Sequence, residues 1–169
     1  MTVREIVSLP DPVLRRKAHK VPEVDKEIQK QVKDMIETMR EAPGVGLAAP
    51  QIGISNRVIV VEYGDDDDEE VPKKLYVLVN PEILESSIEL EEGTEACLSV
   101  PQLMGTVERH QALVVKGLNR FGKPVKVKAE GWLARIFQHE IDHLDGILFP
   151  DRAISVWMPR EDEEASADV

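Results

Sequence analysis

Residues 138–143 read Gln138-His139-Glu140-Ile141-Asp142-His143 and place two histidines four positions apart. On an α-helix this spacing puts both imidazole rings on one face, about one turn apart, so both can bind the same metal ion. Glu140 follows the first histidine, and its carboxylate can act as a general base on a water bound to that metal. A single histidine on an apolar face is more often a hydrogen-bonded core residue, but that role does not explain the pair with the glutamate. The segment therefore predicts a metal-dependent hydrolase.

The flanking residues predict that this segment belongs to a helix over residues 132–144. One face of that helix carries residues at the spacing i, i+4, i+7 and i+11, namely Trp132, Ile136, His139 and His143. Gly131 precedes the apolar part, and Gly146 follows it as a typical helix end. Because the histidines continue an apolar face, we expect the metal to lie in the interior of the domain.

The composition predicts an ordinary globular domain without a strong affinity for polyanions. The chain has 169 residues, of which 42% are hydrophobic and 31% charged, enough for one domain with a full core. Lys and Arg number 21 against 32 Asp and Glu, and the net charge of −11 argues against non-specific binding to nucleic acid or to an anionic membrane surface. This charge does not exclude docking on a nucleoprotein through a local basic patch. We expect no direct nucleic-acid specificity and, at most, a transient association with a nucleoprotein such as the ribosome.

The sequence also carries expectations about the compartment. It contains no apolar segment of the length of a membrane span, and its first residues lack the apolar run of a signal peptide. Cys97 is the only cysteine, which excludes an internal disulfide and fits a reducing compartment. We therefore expect no membrane partner, and a location in the bacterial cytoplasm or in an organelle.

The remaining pattern predicts one further long helix and several strands. Between Asp25 and Arg40 apolar residues recur at helical spacing, with Asp25 as the N-cap. Strand patterns cover residues 57–63, 75–81, 106–115 and 123–131, with a weaker one over 83–90. We expect Asn80-Pro81 to end the second of these strands, residues 47–51 to form a loop, and residues 64–70 to form a solvated acidic loop.

The order of helix, strands and helix predicts an α+β fold rather than alternating βαβ units. We expect antiparallel or mixed β-sheets packed around the C-terminal metal-binding helix, with the N-terminal helix on the outside. Residues 1–158 would form a single catalytic domain, and residues 159–169 an acidic, disordered tail.

Two histidines leave a catalytic metal short of one protein ligand, since such sites usually have three. Cys97 is one candidate, because a thiolate is a strong ligand for a borderline or soft metal. His19, His110 and the acidic residues are others, and a small buried hydrophobic role is common for a free cysteine. A set of two histidines and a cysteine is also typical of blue-copper sites, but those do not need a glutamate beside the metal, so Glu140 favours hydrolysis.

The segment from Gly44 to Gln51 lacks the Gly-Lys-Ser/Thr ending and the preceding strand of a phosphate-binding loop. Gly44 and Gly46 would let a peptide backbone approach closely. Gln51 could donate an amide hydrogen bond to a developing oxyanion. By itself, however, this segment is better explained as a structural turn.

Taken together, the three segments resemble the peptide deformylase family, whose motifs are Gly-x-Gly-x-Ala-Ala-x-Gln, Glu-Gly-Cys-x-Ser and His-Glu-x-x-His. They stand here as Gly44-Val45-Gly46-Leu47-Ala48-Ala49-Pro50-Gln51, Glu95-Ala96-Cys97-Leu98-Ser99 and Gln138-His139-Glu140-Ile141-Asp142-His143. Their order and spacing match, and the similarity extends to about Arg152. One position departs from the pattern, because Ala96 stands where the family usually has glycine.

The resemblance implies a site that holds one divalent metal, iron(II) in the cell, with zinc or nickel able to replace it. Its implied ligands are Cys97, His139 and His143. Glu140 would act as general base and then as general acid. Gln51 and the backbone N–H of Leu98 would stabilise the oxyanion.

The resemblance also implies the substrate, formyl-methionyl nascent peptides, from which the formyl group is released as formate. We expect the peptide to add to a strand edge near Gly46 and Ala96. The methionine side chain would enter an apolar pocket walled by Val45, Trp132 and Ile136. Two carboxylates, Glu95 and Asp142, are the expected hydrogen-bond partners of the histidines.

Two other functions stay open at this point. A zinc endopeptidase with the His-Glu-x-x-His motif usually takes its third ligand from a downstream residue, and no histidine follows His143. A metal-binding domain without activity, docked on the ribosome, is less compatible with an intact Glu140 and Gln51.

Overall fold

The computed structural model describes residues 2–64 and 72–160. Its elements in chain order are a 3-10 turn at Pro12–Arg15, α1 (Lys26–Glu41), β1 (Gly46–Ala48), a 3-10 turn at Ala49–Ile52, β2 (Val58–Tyr63), β3 (Lys74–Ser86), β4 (Leu90–Cys97), β5 (Val100–His110), β6 (Ala112–Leu118), β7 (Pro124–Glu130), α2 (Gly131–Leu144), α3 (Phe149–Arg152) and β8 (Ala153–Trp157). The predicted helices at 25–40 and 132–144 are therefore confirmed as α1 and α2, within one residue at each end.

The strands form two sheets. The larger has five strands in the order β1-β2-β3-β6-β7, and the smaller has three in the order β4-β5-β8. Every pair of neighbouring strands in these two sheets is antiparallel. The predicted α+β class is confirmed, with antiparallel rather than mixed sheets in the described part of the chain.

Helix α2 lies in the interior, as the apolar pattern predicted. All its residues from Ala134 to Leu144 are buried. Ile136, Phe137 and Ile141 pack with residues of β2, β3 and β6 in one core cluster. A helix that is buried all round is a core helix, so the C-terminal helix is the element around which the sheets pack.

Helix α1 covers the other face of the five-stranded sheet. The carboxylate of Asp25 accepts a hydrogen bond from the backbone N–H of Ile28, at 3.0 Å, and caps the helix N-terminus. Met35 and Met39 are fully buried and belong to the same cluster as Val58 and Val60 of β2. The alternate residues of β2, Ile59 and Val61, face α2 instead. Since successive side chains of a strand point to opposite faces, the continuous apolar run of β2 follows from burial on both sides.

The N-terminal residues are tied to α1. The carboxylate of Asp34 accepts hydrogen bonds from the backbone N–H of Thr2, at 2.9 Å, and from the guanidinium of Arg4, at 2.9 Å. Burial alone would raise the pKa of Asp34, but these two donors outweigh it and hold the pKa below its ordinary value.

Several predicted strand limits are wrong. Strand β3 does not end at Asn80-Pro81 but continues to Ser86, with register shifts against β6 between Val79 and Glu82. An irregularity of this kind accommodates a proline, which lacks the N–H that a regular ladder needs. The segment 106–115 is divided between β5 and β6, which meet at Gln111, and residues 47–51 form β1 and a 3-10 turn rather than a loop. Strand β8 and most of β4 were not predicted.

The acidic loop, except for Gly64, and residues 161–169 of the predicted tail lie outside the described residues. Within the described part, none of the helices combines the length and the apolar character needed to cross a membrane.

Candidate metal centre

Three predicted ligands come together in the core between the two sheets. The Sγ of Cys97 and one ring nitrogen from each of His139 and His143 all lie within 4.8 Å of one another. The Sγ is 3.3 Å from Nε2 of His143. Cys97 is the last residue of β4, and the histidines are one turn apart on α2, so the small sheet and the central helix each supply part of the cluster.

The hydrogen bonding around this cluster fits a single metal ion. Nε2 of His139 is buried without a hydrogen-bond partner, although Nδ1 of the same ring contacts the carboxylate of Glu95 at 2.9 Å. A buried polar atom is rarely left unpaired, so the free nitrogen indicates a ligand atom that faces a cation. One thiolate and two imidazoles are donors that suit zinc, iron and nickel. The described residues therefore fit a mononuclear site.

Glu140 lies on the same side of α2 and is also without partners. Both of its carboxylate oxygens are buried and make no hydrogen bond to the described residues. A Cβ atom placed on Gly46 would be only 2.6 Å from Oε2 of Glu140, so this carboxylate lies directly against the backbone of β1. Burial raises the pKa of Glu140 to about 7, which suits a group that accepts and returns a proton near neutral pH. A divalent cation at the cluster would lower this value through its charge.

The two histidines differ in their preferred charge. Burial opposes protonation of His139, but the nearby Cys97 sulfur and the hydrogen bond to the Glu95 carboxylate outweigh that and raise its pKa well above the ordinary value. Burial and the nearby charge of His139 lower the pKa of His143 well below it. A positive charge is therefore favoured beside Cys97 and Glu95. A bound metal ion would supply this charge in place of a proton on His139, and its binding would release protons from the ligands.

Of the two carboxylates expected to hold the histidines, only Glu95 does so directly. Its side chain is fully buried, and its pKa is held well below the usual range because hydrogen bonds from Arg109 and His139 outweigh the effect of burial. Asp142 instead accepts hydrogen bonds from Arg109, at 2.6 Å, and from Arg152. The expectation for Asp142 was therefore wrong, because this residue reaches His139 only through Arg109 and Glu95.

The predicted oxyanion donors lie beside the thiol. The amide oxygen of Gln51 accepts a hydrogen bond from the backbone of Ala48, at 3.0 Å, which fixes the amide orientation. Its amide nitrogen is then 3.2 Å from Oγ of Ser99 and 3.6 Å from Sγ of Cys97. Leu98 follows Cys97 in the turn between β4 and β5, one residue from the thiol.

Three of the predicted substrate residues lie in one apolar cluster, and the other two lie on edge strands. Val45 and Trp132 are half-buried and pack against the core that contains Ile136, which is fully buried. Gly46 lies in β1 and Ala96 in β4, each at the edge of its sheet. Of these residues, Gly46 is the one that lies directly against Glu140.

Sequence reasoning missed the buried arginines of this region, which are Arg109 and Arg135. Both donate to Glu95, which therefore has three partners when His139 is included. The available signal was Glu95, which was expected from the sequence to contact a histidine in the core. A buried carboxylate needs cationic partners, so this expectation also implied buried arginines or lysines. Nothing in the sequence, however, indicated which arginines would supply them.

Comparisons with known proteins agree with this geometry. The family model described as polypeptide deformylase matches residues 3–157. The chain is 50% identical over 163 residues to a peptide deformylase of Natranaerobius thermophilus, covering 96% of this chain and 99% of the relative. The crystal structure of peptide deformylase from Ehrlichia chaffeensis superposes with a TM-score of 0.85 at 39% identity, covering 91% of this chain and 89% of that one. The Met-Ala-Ser bound class I type b peptide deformylase from Acinetobacter baumannii has a TM-score of 0.82 at 40% identity, covering 89% and 98%.

These matches extend over nearly the whole chain and include the helix and strand that carry the clustered ligands. They also remove the endopeptidase and blue-copper alternatives. The chain belongs to the peptide deformylase family, the metal-dependent hydrolases that remove the N-formyl group from nascent peptides.

Proposed function

We propose that this chain carries out deformylation with one divalent metal held by Cys97, His139 and His143. The observation that carries this proposal is the unpaired, buried Nε2 of His139 in a cluster of three residues whose ligand atoms all lie within 4.8 Å of one another. Glu140 is proposed as the general base and then the general acid. Gln51 and the backbone N–H of Leu98 are proposed as the donors to the oxyanion.

When bound, the metal acts as a Lewis acid that activates water for attack on the formyl carbon. Glu140 accepts a proton from the attacking water, because its carboxylate is buried beside the cluster and has no other hydrogen-bond partner among the described residues. Gln51 directs its amide N–H at the charge that develops on the formyl oxygen, where a fixed donor stabilises the transition state. Glu140 then donates the proton to the leaving nitrogen as the C–N bond breaks, which gives formate and a free amino terminus.

Iron(II) is proposed as the metal in the cell, with zinc or nickel as functional replacements. Imidazole and thiolate donors accept all three metals, so the choice depends on availability and on geometry. Iron(II) beside a thiolate is open to oxidation of the metal or of the sulfur, which gives an experimental means of telling it from zinc.

The peptide is proposed to lie along the edge of β1 at Gly46. A Cβ at Gly46 would collide with Glu140, so the backbone of β1 passes directly beside the proposed base at this residue. A peptide paired with this edge would lie near the same carboxylate. The methionine side chain would then pack against Val45, Trp132 and Ile136, and Ala96 would border the peptide from β4. The bound Met-Ala-Ser of the Acinetobacter baumannii relative has the sequence expected of a deformylated product.

We also propose the arrangement of the whole chain. Residues 1–158 form one catalytic domain, followed by an acidic tail over residues 159–169. The protein acts on nascent chains in the bacterial cytoplasm or in an organelle, with a transient ribosome association, without sequence-specific contacts to nucleic acid and without a membrane partner.

The test is formate release from formyl-Met-Ala-Ser by protein loaded with iron(II) and kept anaerobic. We expect turnover in proportion to metal content, no cleavage of internal peptide bonds, and little turnover by Glu140→Gln at the same metal content. Protein with one metal per chain that releases no formate would refute the proposal. Cleavage of an unformylated peptide would instead indicate an endopeptidase.

A further inference from the structure

Arg135 is a buried cation one turn before the metal ligand His139. Only 4% of its surface is exposed. Its Nη1 donates to Oε2 of Glu95, at 2.6 Å, and to the carbonyl of Val107, at 2.9 Å, while Nη2 donates to the carbonyl of Glu91, at 2.7 Å. Burial of a guanidinium is costly unless it is paired and hydrogen-bonded, and here the pairing reaches both β4 and β5.

The carboxylate of Glu95 divides its partners between its two oxygens. Oε1 accepts from His139, at 2.9 Å, and from Arg109, at 2.8 Å. Oε2 accepts from Arg109, at 2.9 Å, and from Arg135. Arg109 ties the carboxylate to Asp142 of α2, whereas Arg135 ties Oε2 to backbone carbonyls of the small sheet. The orientation of the His139 ring therefore depends on Arg135, two hydrogen bonds away.

Gly93 on β4 leaves the space that this guanidinium fills. A Cβ atom at Gly93 would lie 2.6 Å from Cζ and 2.7 Å from Nε of Arg135. A methyl group there would displace the guanidinium without removing its charge. Gly93 thus offers a way to move Arg135 without changing it.

The same guanidinium lies over a wall of the proposed methionine pocket. Cζ of Arg135 is 5.6 Å from the ring centroid of Trp132, within the range of a cation–π contact. One side chain therefore contacts both the carboxylate that orients a metal ligand and the aromatic ring proposed to contact substrate.

We propose that Arg135 is a positioning residue that couples the methionine pocket to the metal ligand His139, through Trp132 on one side and Glu95 on the other. Gly93 is the position that permits it. This inference rests on the proposed function. Loss of Arg135 loosens the Glu95–His139 contact and shifts Trp132, so metal affinity and recognition of the first side chain change together.

The test compares Arg135→Met, Arg135→Lys and Gly93→Ala with the unmodified protein. Cobalt(II) affinity is measured by competition with a chelator, together with the cobalt absorption spectrum and KM for formyl-Met-Ala-Ser. Loss of a hydrogen-bond partner in the shell around a metal site lowers affinity by about ten- to a hundredfold, and we expect about tenfold for Arg135→Met since Arg109 remains. Gly93→Ala should act in the same direction, and Arg135→Lys should recover part of the loss.

Arg152→Met is the matched control. Its guanidinium donates to Asp142, at 2.6 and 3.0 Å, and belongs to the same ionic network without contacting Glu95. We expect a change in melting temperature for this variant but unchanged cobalt affinity and spectrum. The double variant Gly93→Ala/Arg135→Met should bind cobalt no more weakly than Arg135→Met, because the methyl group then has no guanidinium to displace.

Each outcome decides a separate point. Unchanged cobalt affinity, spectrum and KM in Arg135→Met, with only a lowered melting temperature, would make Arg135 purely structural and overturn the inference. If Arg135→Met does not fold, unchanged values in both Arg135→Lys and Gly93→Ala would overturn it equally. Additive losses of cobalt affinity in the double variant would show that Gly93 acts independently of Arg135, and would overturn its proposed role of making room for the guanidinium. Absence of metal binding or formate release in the unmodified protein would instead refute the proposed function.

Discussion

Gly46→Ala should inactivate the enzyme without removing its metal. The new Cβ would lie 2.6 Å from Oε2 of Glu140, a distance that real Cβ atoms essentially never show, and 3.0 Å from both Cγ and Cδ, which is also unusually tight. Restoring ordinary contact requires Glu140 to move by about half an ångström to one ångström, and a misplacement of that size costs about a hundredfold in rate. This loss corresponds to about 2.7 kcal/mol of transition-state stabilisation.

The measurement is kcat for formate release, with metal content and melting temperature determined on the same preparation. Metal content should stay near that of the unmodified protein, because the three atoms nearest to the new methyl group all belong to Glu140 and none to Cys97 or the histidines. Gly44→Ala is the comparison on the same segment, where the nearest atom is Cδ1 of Leu98 at 3.2 Å, the flexible end of a side chain. Its loss of kcat should be clearly smaller. A kcat for Gly46→Ala within about threefold of the unmodified protein would refute the argument that β1 and Glu140 are in close contact.

Four further substitutions test other parts of the site and fold. Cys97→Ala should lower metal content sharply after dialysis, since two ligands remain, and full occupancy would remove the thiol from the site. Glu140→Gln should keep the metal but lower kcat by about a hundredfold or more, because the amide cannot accept a proton; near-normal turnover would exclude it as the base. Ala96→Gly should raise kcat/KM for formyl-Met-Ala-Ser if the methyl group borders the peptide, whereas a lowered melting temperature with unchanged kinetics would make it a packing residue. The pKa of Asp34 lies below its ordinary value of 3.8 in the folded protein, so its contribution to stability is present above pH 3.8 and lost as the pH falls through the lower folded value. In urea unfolding at pH 7 and pH 3, Asp34→Asn should therefore lose less stability on acidification than the unmodified protein, and equal losses would contradict this.

Helix α2 and its ligands were predictable because their signal is local. The spacing of His139 and His143 fixes their common face whatever surrounds them, and the apolar residues before them place that face in the core. The same holds for α1, where the apolar spacing and the Asp25 cap lie within one continuous segment.

The strands were less predictable because their burial is decided by distant partners. Strand β4 carries exposed Glu91 and Glu92 and lacks a regular apolar alternation, yet it pairs along its length with β5. Strand β3 passes through Asn80-Pro81 because a register shift accommodates them. The amide of Asn80 also binds both the N–H and the carbonyl of Val21, and such a distant contact leaves no sign in the local sequence.

The ionic partners of Glu95 could not be read from the sequence for the same reason. Arg109 is 14 positions away and Arg135 is 40 positions away, and neither spacing belongs to a repeating pattern. Charge composition predicts that buried carboxylates will be paired, but only the packing of β4 and β5 on α2 determines which arginines do so.

The proposed ligands come from two different layers, so a bound metal would act as a reversible cross-link. Cys97 and His143 are 46 positions apart in the chain, so a metal that joins them closes a long loop. If the metal stays bound when the protein unfolds, this loop lowers the conformational entropy of the unfolded chain. A metal that binds only the folded protein adds stability by mass action, about 4 kcal/mol at a free concentration a thousand times its Kd. The lifetime of the fold and the supply of metal are thereby linked, so a cell that runs short of the ion loses enzyme as well as activity.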